Sequence, residues 1–119
     1  MRGYPEYLGG LASADFILDT PGFSGGATSL DALGLGIPVV AFEGRHARGR
    51  QTAAMMRMAG VGELVAENDA GYVEIAVRLA GDEALRRTLR ERLREGSRAV
   101  FEDDRPLLAF ADYLRQARR

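Results

Sequence analysis

The stretch from Asp19 to Asp31 constrains this chain more than any other. It reads Asp19-Thr20-Pro21-Gly22-Phe23-Ser24-Gly25-Gly26-Ala27-Thr28-Ser29-Leu30-Asp31. An apolar run, Phe16-Ile17-Leu18, leads into it, and a helix-like run, Leu30-Asp31-Ala32-Leu33-Gly34-Leu35, leads out. The pattern predicts a strand, a glycine-rich turn and the start of a helix. Such a turn aims unpaired backbone N–H groups and the positive end of a helix dipole at one point, which suits a phosphate or another anion.

The flanking residues extend this unit. Asp15 to Asp19 is a compact apolar run bounded by acids, expected as a buried parallel strand. Thr28 or Ser29 can cap a helix running to about Leu35, with Gly36 placed to end it. Ile37-Pro38-Val39-Val40-Ala41-Phe42 is the second strand, its proline near the start where a missing donor is tolerated. Strand, helix, strand makes a βαβ unit. Before it, a short helix from Pro5 to Leu11 is expected. After it, Glu43 to Arg50 forms a polar loop at the carboxyl end of the second strand. Open α/β sheets bind ligands at that end, so this loop and the glycine turn should face one crevice. A helix from about Gly49 to Ala59 follows, with Ala54, Met55 and Met58 inward. A third strand lies near Leu64 to Ala66. Asn68 or Asp69 then caps a helix with Tyr72, Ile75, Ala76 and Leu79 on one face. Leu85, Leu89 and Leu93 mark the buried stripe of the next helix, and Leu107, Ala111 and Leu114 that of a last one beginning near Pro106.

Composition narrows the function classes. A chain of 119 residues suits one domain, and 46% hydrophobic with 28% charged residues is ordinary globular composition. The net charge of −1 provides no field for nucleic acid. There is no cysteine, so disulfides and thiolate metal sites are excluded. Neither a membrane-length apolar run nor a leader peptide is visible, which makes the cytoplasm the default location. All 16 basic residues are arginine. A Walker A phosphate loop or a Schiff-base lysine is therefore beyond this chain.

Several motifs compete for the turn. Gly22-Phe23-Ser24-Gly25-Gly26 formally fits a nucleophile elbow, but the single histidine, His46, lies one βαβ step later with no hydrolase-sized chain around it. Gly22, Gly25 and Gly26 miss the spacing of a dinucleotide fingerprint. His46 has no second histidine or any cysteine to join it on a metal. Ser24 is either a turn hydroxyl or a hydrogen-bond partner of phosphate or sugar. Thr28 and Asp31, three apart, project from one helix face and are either cap and dipole partner or phosphate and sugar contacts. Arg45, Arg48 and Arg50 in the second loop either neutralise a diphosphate or are surface charge.

Taken in order, these phrases resemble the catalytic region of family 41 glycosyltransferases, the O-linked N-acetylglucosamine transferases and their bacterial relatives. The resemblance rests on Leu18-Asp19-Thr20, Phe23 to Leu33, Gly36 to Val40, Arg48-Gly49-Arg50-Gln51-Thr52, Glu63 to Ala66, Tyr72-Val73, Ala76 to Ala80 and Phe101 to Asp104 with Pro106. It covers about residues 14 to 115. It implies an α/β fold, a partial Rossmann-like (GT-B C-terminal half) unit with a short parallel sheet flanked by helices and a helical C-terminus. Residues 1–119 would form a single domain, the C-terminal portion of a nucleotide-sugar-binding domain. Carried over by position, Gly25, Gly26, Ala27 and Thr28 would face the donor diphosphate and Asp31 the ribose, with Ser24 beside them and Arg48 and Arg50 as further contacts. Ala27 stands where the family usually places a hydroxyl, or a polar residue beside one, which removes a side-chain donor. The implied donor is a UDP-sugar, with no metal or other cofactor required, and the implied acceptor a protein serine or threonine. The implied partners are an upstream catalytic domain and tetratricopeptide repeats. The family's phosphate-contacting lysine, uracil-binding segment and acceptor side precede the matching region, so the isolated chain is expected to hold part of a donor site and not to turn over. The alternative is a non-catalytic nucleotide-phosphate binding or self-association module, a homo-oligomer joined through surface left uncovered.

Overall fold

A computed structural model describes residues 3–117. Three short strands form one parallel sheet in the order β1 (Ile17–Leu18), β2 (Val39–Phe42), β3 (Val65–Ala66). Ile17 and Leu18 pair with Val39 and Val40, and Ala41 and Phe42 with Val65 and Ala66. Helix α1 (Tyr4–Ala12) precedes the sheet, α2 (Ala27–Gly34) links β1 to β2, and α3 (Gln51–Met58) links β2 to β3. Beyond β3 the chain is helical, with α4 (Asp69–Gly81), α5 (Glu83–Gly96), the single turn α6 (Arg98–Phe101) and α7 (Arg105–Ala117). The α/β class and the short parallel sheet among helices are as expected.

The two returns from helix to strand use the same device. Gly36 and Gly60 adopt φ of 68° and 77°, a left-handed conformation that other residues enter only with strain. After α2, the Gly36 N–H donates to the Leu33 carbonyl and the Ile37 N–H to that of Ala32. After α3, the Gly60 N–H donates to Arg57 and the Val61 N–H to Met56. Both are Schellman closures, which satisfy the last carbonyls of the helix and turn the next residue inward. Ile37 and Val61 are accordingly fully buried.

The core gathers around β2, whose Val39, Val40 and Ala41 are buried on both faces, as a central parallel strand requires. Leu79 of α4 and Leu89 and Leu93 of α5 complete it, with Leu85 packed at its margin. Asn68 caps α4 through the Gly71 N–H at 2.8 Å, and Asp82 caps α5 through that of Leu85. Where α5 ends, it meets the end of α3 closely. A Cβ added at Gly96 would fall 1.9 Å from the Ala59 carbonyl oxygen, a backbone atom that cannot step aside.

Four expectations are corrected. β1 is not a buried strand but the sheet's edge, and Leu18 is 53% exposed because no strand covers its far side. Helix α2 starts two or three residues early, with Gly26 as N-cap and no side-chain cap, so neither Thr28 nor Ser29 serves as one. Helix α3 is rotated from the predicted phase: Thr52, Ala53 and Met56 are inward, whereas Ala54 and Met58 are exposed and Met55 is half-buried. Its orientation follows the meeting of Thr52 with the glycine turn described below. In α7 no residue is buried, and Leu107, Phe110, Tyr113 and Leu114 all face outward. With this helix the structure measures 58 × 35 × 30 Å and has a radius of gyration of 16.0 Å, against about 13.5 Å for a compact chain of this length.

The Gly96 contact yields a test. Gly96→Ala should lower the unfolding free energy by about 2 kcal/mol or more in chemical denaturation, because a methyl forced against backbone must push α5 off α3.

Candidate functional site

The glycine turn is fixed from below by side chains that converge on it. Asp19 leaves β1 only 6% exposed. Its Oδ1 accepts the Gly25 N–H at 2.7 Å, and its Oδ2 the Ser24 hydroxyl at 2.8 Å. From the first turn of α3, the fully buried Thr52 donates its N–H to Ser24 Oγ at 2.9 Å and its hydroxyl to the Gly25 carbonyl at 3.1 Å. Thr52 Oγ1 also lies 2.7 Å from both Ser24 Oγ and Ser29 Oγ. Asp19 is held in turn through its own carbonyl, which accepts the Tyr72 hydroxyl at 2.6 Å. Burial first, and then the charge of Asp19, raise the Tyr72 phenol above its ordinary value.

Space around the turn is limiting. A Cβ at Gly25 would fall 2.5 Å from Ser29 Oγ, so only glycine lets α2 approach Asp19 this closely. Beside the turn lies an open cavity of about 300 Å³ lined by β1, by Asp19, Thr20 and Phe23, and by Ser24, Gly25, Gly26, Thr28 and Ser29. The uncapped first turn of α2 carries N–H groups that its own helix cannot satisfy. Together with the helix dipole they make this the end of the molecule suited to an anion.

The predicted site residues do not all converge there. Gly25, Gly26 and Thr28 line the cavity, and Ala27 opens the helix behind them with an exposed methyl. Ser24 is 4% exposed and its hydroxyl is spent on Asp19 and Thr52, the turn-hydroxyl alternative. Asp31 points away from the cavity and accepts the Tyr4 hydroxyl at 2.6 Å, in a groove between α1 and α2. Thr28 and Asp31 therefore serve different surfaces, because α1 lies along the side of α2 that Asp31 occupies.

The second loop touches the turn through backbone: the Ser24 N–H donates to the Arg48 carbonyl at 2.8 Å. This contact depends on the loop folding tightly, with the Gly44 N–H bonded to Gly49 and a Cβ at Gly44 only 3.0 Å from the Gly49 carbonyl oxygen. The Arg48 side chain is exposed. Arg50 is committed to Glu43 at 2.8 Å, and Arg57 bonds the other oxygen of that carboxylate at 2.5 Å. Arg45, His46, Arg48 and Arg50 do not line the cavity at the turn, so the two loops pack together without sharing one crevice. The hydrogen bonds from Arg57 and then Arg50 hold Glu43 down to a pKa of about 2.

A larger cavity of about 630 Å³ runs along α5 beside Asp15, Arg86, Arg87, Arg90 and Arg94. It is less suited to a ligand. Arg90 donates to the Ala14 carbonyl at 2.6 Å and Arg86 to that of Leu79, bonds that tie the helix to its neighbours. Among the described residues no group of His, Cys, Asp and Glu side chains is placed to hold a metal ion, and no helix is long and apolar enough to cross a membrane.

Fold and turn together define a Rossmann-like α/β unit of the glycosyltransferase GT-B kind. The model of Glycosyl transferase family 41 matches residues 7–103, and the chain belongs to that family. It is 31% identical over 90 residues to a probable UDP-N-acetylglucosamine–peptide N-acetylglucosaminyltransferase SPINDLY of Eustoma exaltatum subsp. russellianum, covering 76% of this chain and 10% of that protein. It is 41% identical over 69 residues to the UDP-N-acetylglucosamine–peptide N-acetylglucosaminyltransferase of Caenorhabditis elegans, covering 58% of this chain and 6% of that one. Among solved structures, a mutant of the Thermobaculum terrenum O-GlcNAc transferase superposes with a TM-score of 0.80 at 37% identity, over 98% of this chain and 22% of that chain. The chain thus spans about a tenth of the length of the plant relative.

The Glu43 cluster predicts a pH dependence. A carboxylate whose folded pKa is depressed contributes stability that is present above its unfolded pKa and lost as pH falls through the folded value. Wild type should therefore unfold at a higher denaturant midpoint than Glu43→Gln above about pH 5, and the difference should vanish as the pH approaches 2.

Proposed function

We propose that this chain supplies the diphosphate-holding part of the donor site in a glycosyltransferase that moves a sugar from a UDP-sugar to a protein serine or threonine. The observation that carries this is the uncapped N-terminus of α2, opening into a cavity beside a braced glycine turn. The relatives' names add the donor and the peptide acceptor. In the transfer, the bond between the sugar's anomeric carbon and the β-phosphate oxygen breaks while an acceptor hydroxyl oxygen bonds to that carbon and gives up its proton to solvent. Negative charge then builds on the departing diphosphate. N–H groups of Gly26, Ala27 and Thr28, fixed before the reaction, stabilise that charge without needing a metal. The Thr28 hydroxyl adds one hydrogen bond, and Ala27 adds none.

The remaining parts come from elsewhere in a longer polypeptide: a cation for the phosphates, the base-binding segment and the acceptor side. An upstream catalytic domain and tetratricopeptide repeats are the proposed partners, and the cytoplasm the proposed location. Arg48, exposed beside the turn, is the arginine of the predicted pair that has no acid partner among the described residues. Asp31 reaches a ribose only by sharing its carboxylate with Tyr4, or by giving that bond up.

Calorimetric titration of the chain with UDP, uridine and inorganic phosphate tests the proposal. UDP should bind at least about tenfold more tightly than either control, and Thr28→Val should weaken it by about five- to tenfold with the unfolding midpoint unchanged. Equal affinity for UDP and inorganic phosphate would contradict a diphosphate site.

A further inference from the structure

We propose that Asp19 and Thr52 are positioning residues, which hold the N–H groups at the start of α2 in the geometry that a diphosphate needs. The inference rests on the donor-site role proposed above and assigns the part of the molecule that makes that site rigid.

Asp19, Ser24, Ser29 and Thr52 are the buried polar side chains of the described residues, all of them meet at one turn, and Asp19, Ser24 and Ser29 also border its cavity. Elsewhere the interior is apolar. Burying hydroxyls and a carboxylate is unfavourable unless each is bonded, and even then an apolar cluster of similar volume is often as stable. Here no buried side-chain nitrogen or oxygen among the described residues lacks a partner. A fully bonded polar cluster confined to one place is therefore better explained by what it orders than by the stability it adds.

What it orders is a segment that would otherwise be loose. Gly22, Gly25 and Gly26 give the chain wide conformational freedom, and Gly22 already sits at φ 86°. Asp19 and Thr52 remove that freedom from opposite sides. Asp19 takes the Gly25 N–H, and Thr52 takes the Gly25 carbonyl and, through its own N–H, the Ser24 oxygen. Gly25 is thus held at both its polar groups. The N–H groups that follow it, from Gly26 into α2, have no side-chain cap and are left for a ligand. Charge stabilisation by backbone dipoles is effective only when they need not reorganise as the charge appears. Because Thr52 stands on α3 and Asp19 at the end of β1, two elements of the core set the cradle's position.

Two readouts on the same variants test this. In Thr52→Val, which keeps the side chain's shape, amide hydrogen exchange at Gly25 should quicken by about tenfold or more while exchange at Leu93 in α5 stays within about twofold, and UDP affinity should fall by about tenfold. Asp19→Ala should give the same pattern, and Thr52→Ser should restore both readouts to within about threefold of wild type. Val61→Ala, a core change remote from the turn, should leave UDP affinity unchanged. Exchange that quickens equally at Gly25 and Leu93, or UDP affinity that survives Thr52→Val, would overturn the positioning role. If wild type does not bind UDP yet Gly25 alone loosens, the bracing of the turn stands and the diphosphate assignment falls.

Discussion

The bond network between Thr52 and the glycine turn is the constraint on which the arrangement at the sheet's end depends. It sets the rotation of α3, because the helix must bury Thr52 to reach Ser24, Ser29 and Gly25. It draws α2 toward α3, because Ser29 must come within a hydrogen bond of Thr52, and with Ser29 in that place a Cβ at Gly25 would fall 2.5 Å from its Oγ. One threonine thereby couples the two helices that flank β2.

The remaining packing holds that junction in place. Schellman closures at Gly36 and Gly60 return the chain into β2 and toward β3 at a fixed angle, and α5 closes against α3 through the absent side chain of Gly96. The open sides of the molecule are as informative. β1 is an uncovered edge, and α7 presents Leu107, Phe110 and Leu114 to solvent. An uncovered edge and an uncovered apolar helix face agree with a unit that spans about a tenth of its plant relative.

Much of this was legible in the sequence, and what was not has physical causes. The order of strand, turn and helix from Phe16 to Leu35, the glycines that end α2 and α3, and the stripe of Leu85, Leu89 and Leu93 are local signals that the structure keeps, although α2 begins ahead of its expected cap. The edge position of β1 was not legible, since a run such as Phe16-Ile17-Leu18 is equally compatible with a covered and an uncovered strand. The phase of α3 does not follow from the apolar pattern, because methionines at 55 and 58 outweigh one threonine in any apolar count, whereas the observed inner face runs Thr52, Ala53, Met56 and Ala59. A threonine in phase with that stripe was the available sign of a buried polar partner. Asp19 gave less, because an acid after a strand marks a boundary equally well. Its bond to Gly25 and that of Thr52 to Ser24, 28 residues apart, exist only in the folded chain. Spacing and resemblance point Asp31 and Arg50 toward a ligand, and the sequence carries no sign that Tyr4 and Glu43 bond their side chains in the fold.

The central claim is that the diphosphate binds at the start of α2, and amide chemical-shift mapping during a UDP titration tests it most directly. The account predicts that the largest changes fall on Gly26, Ala27 and Thr28, with smaller ones at Gly25. Changes concentrated along Arg86, Arg87, Arg90 and Arg94 of α5, or spread without focus over the surface, would contradict it.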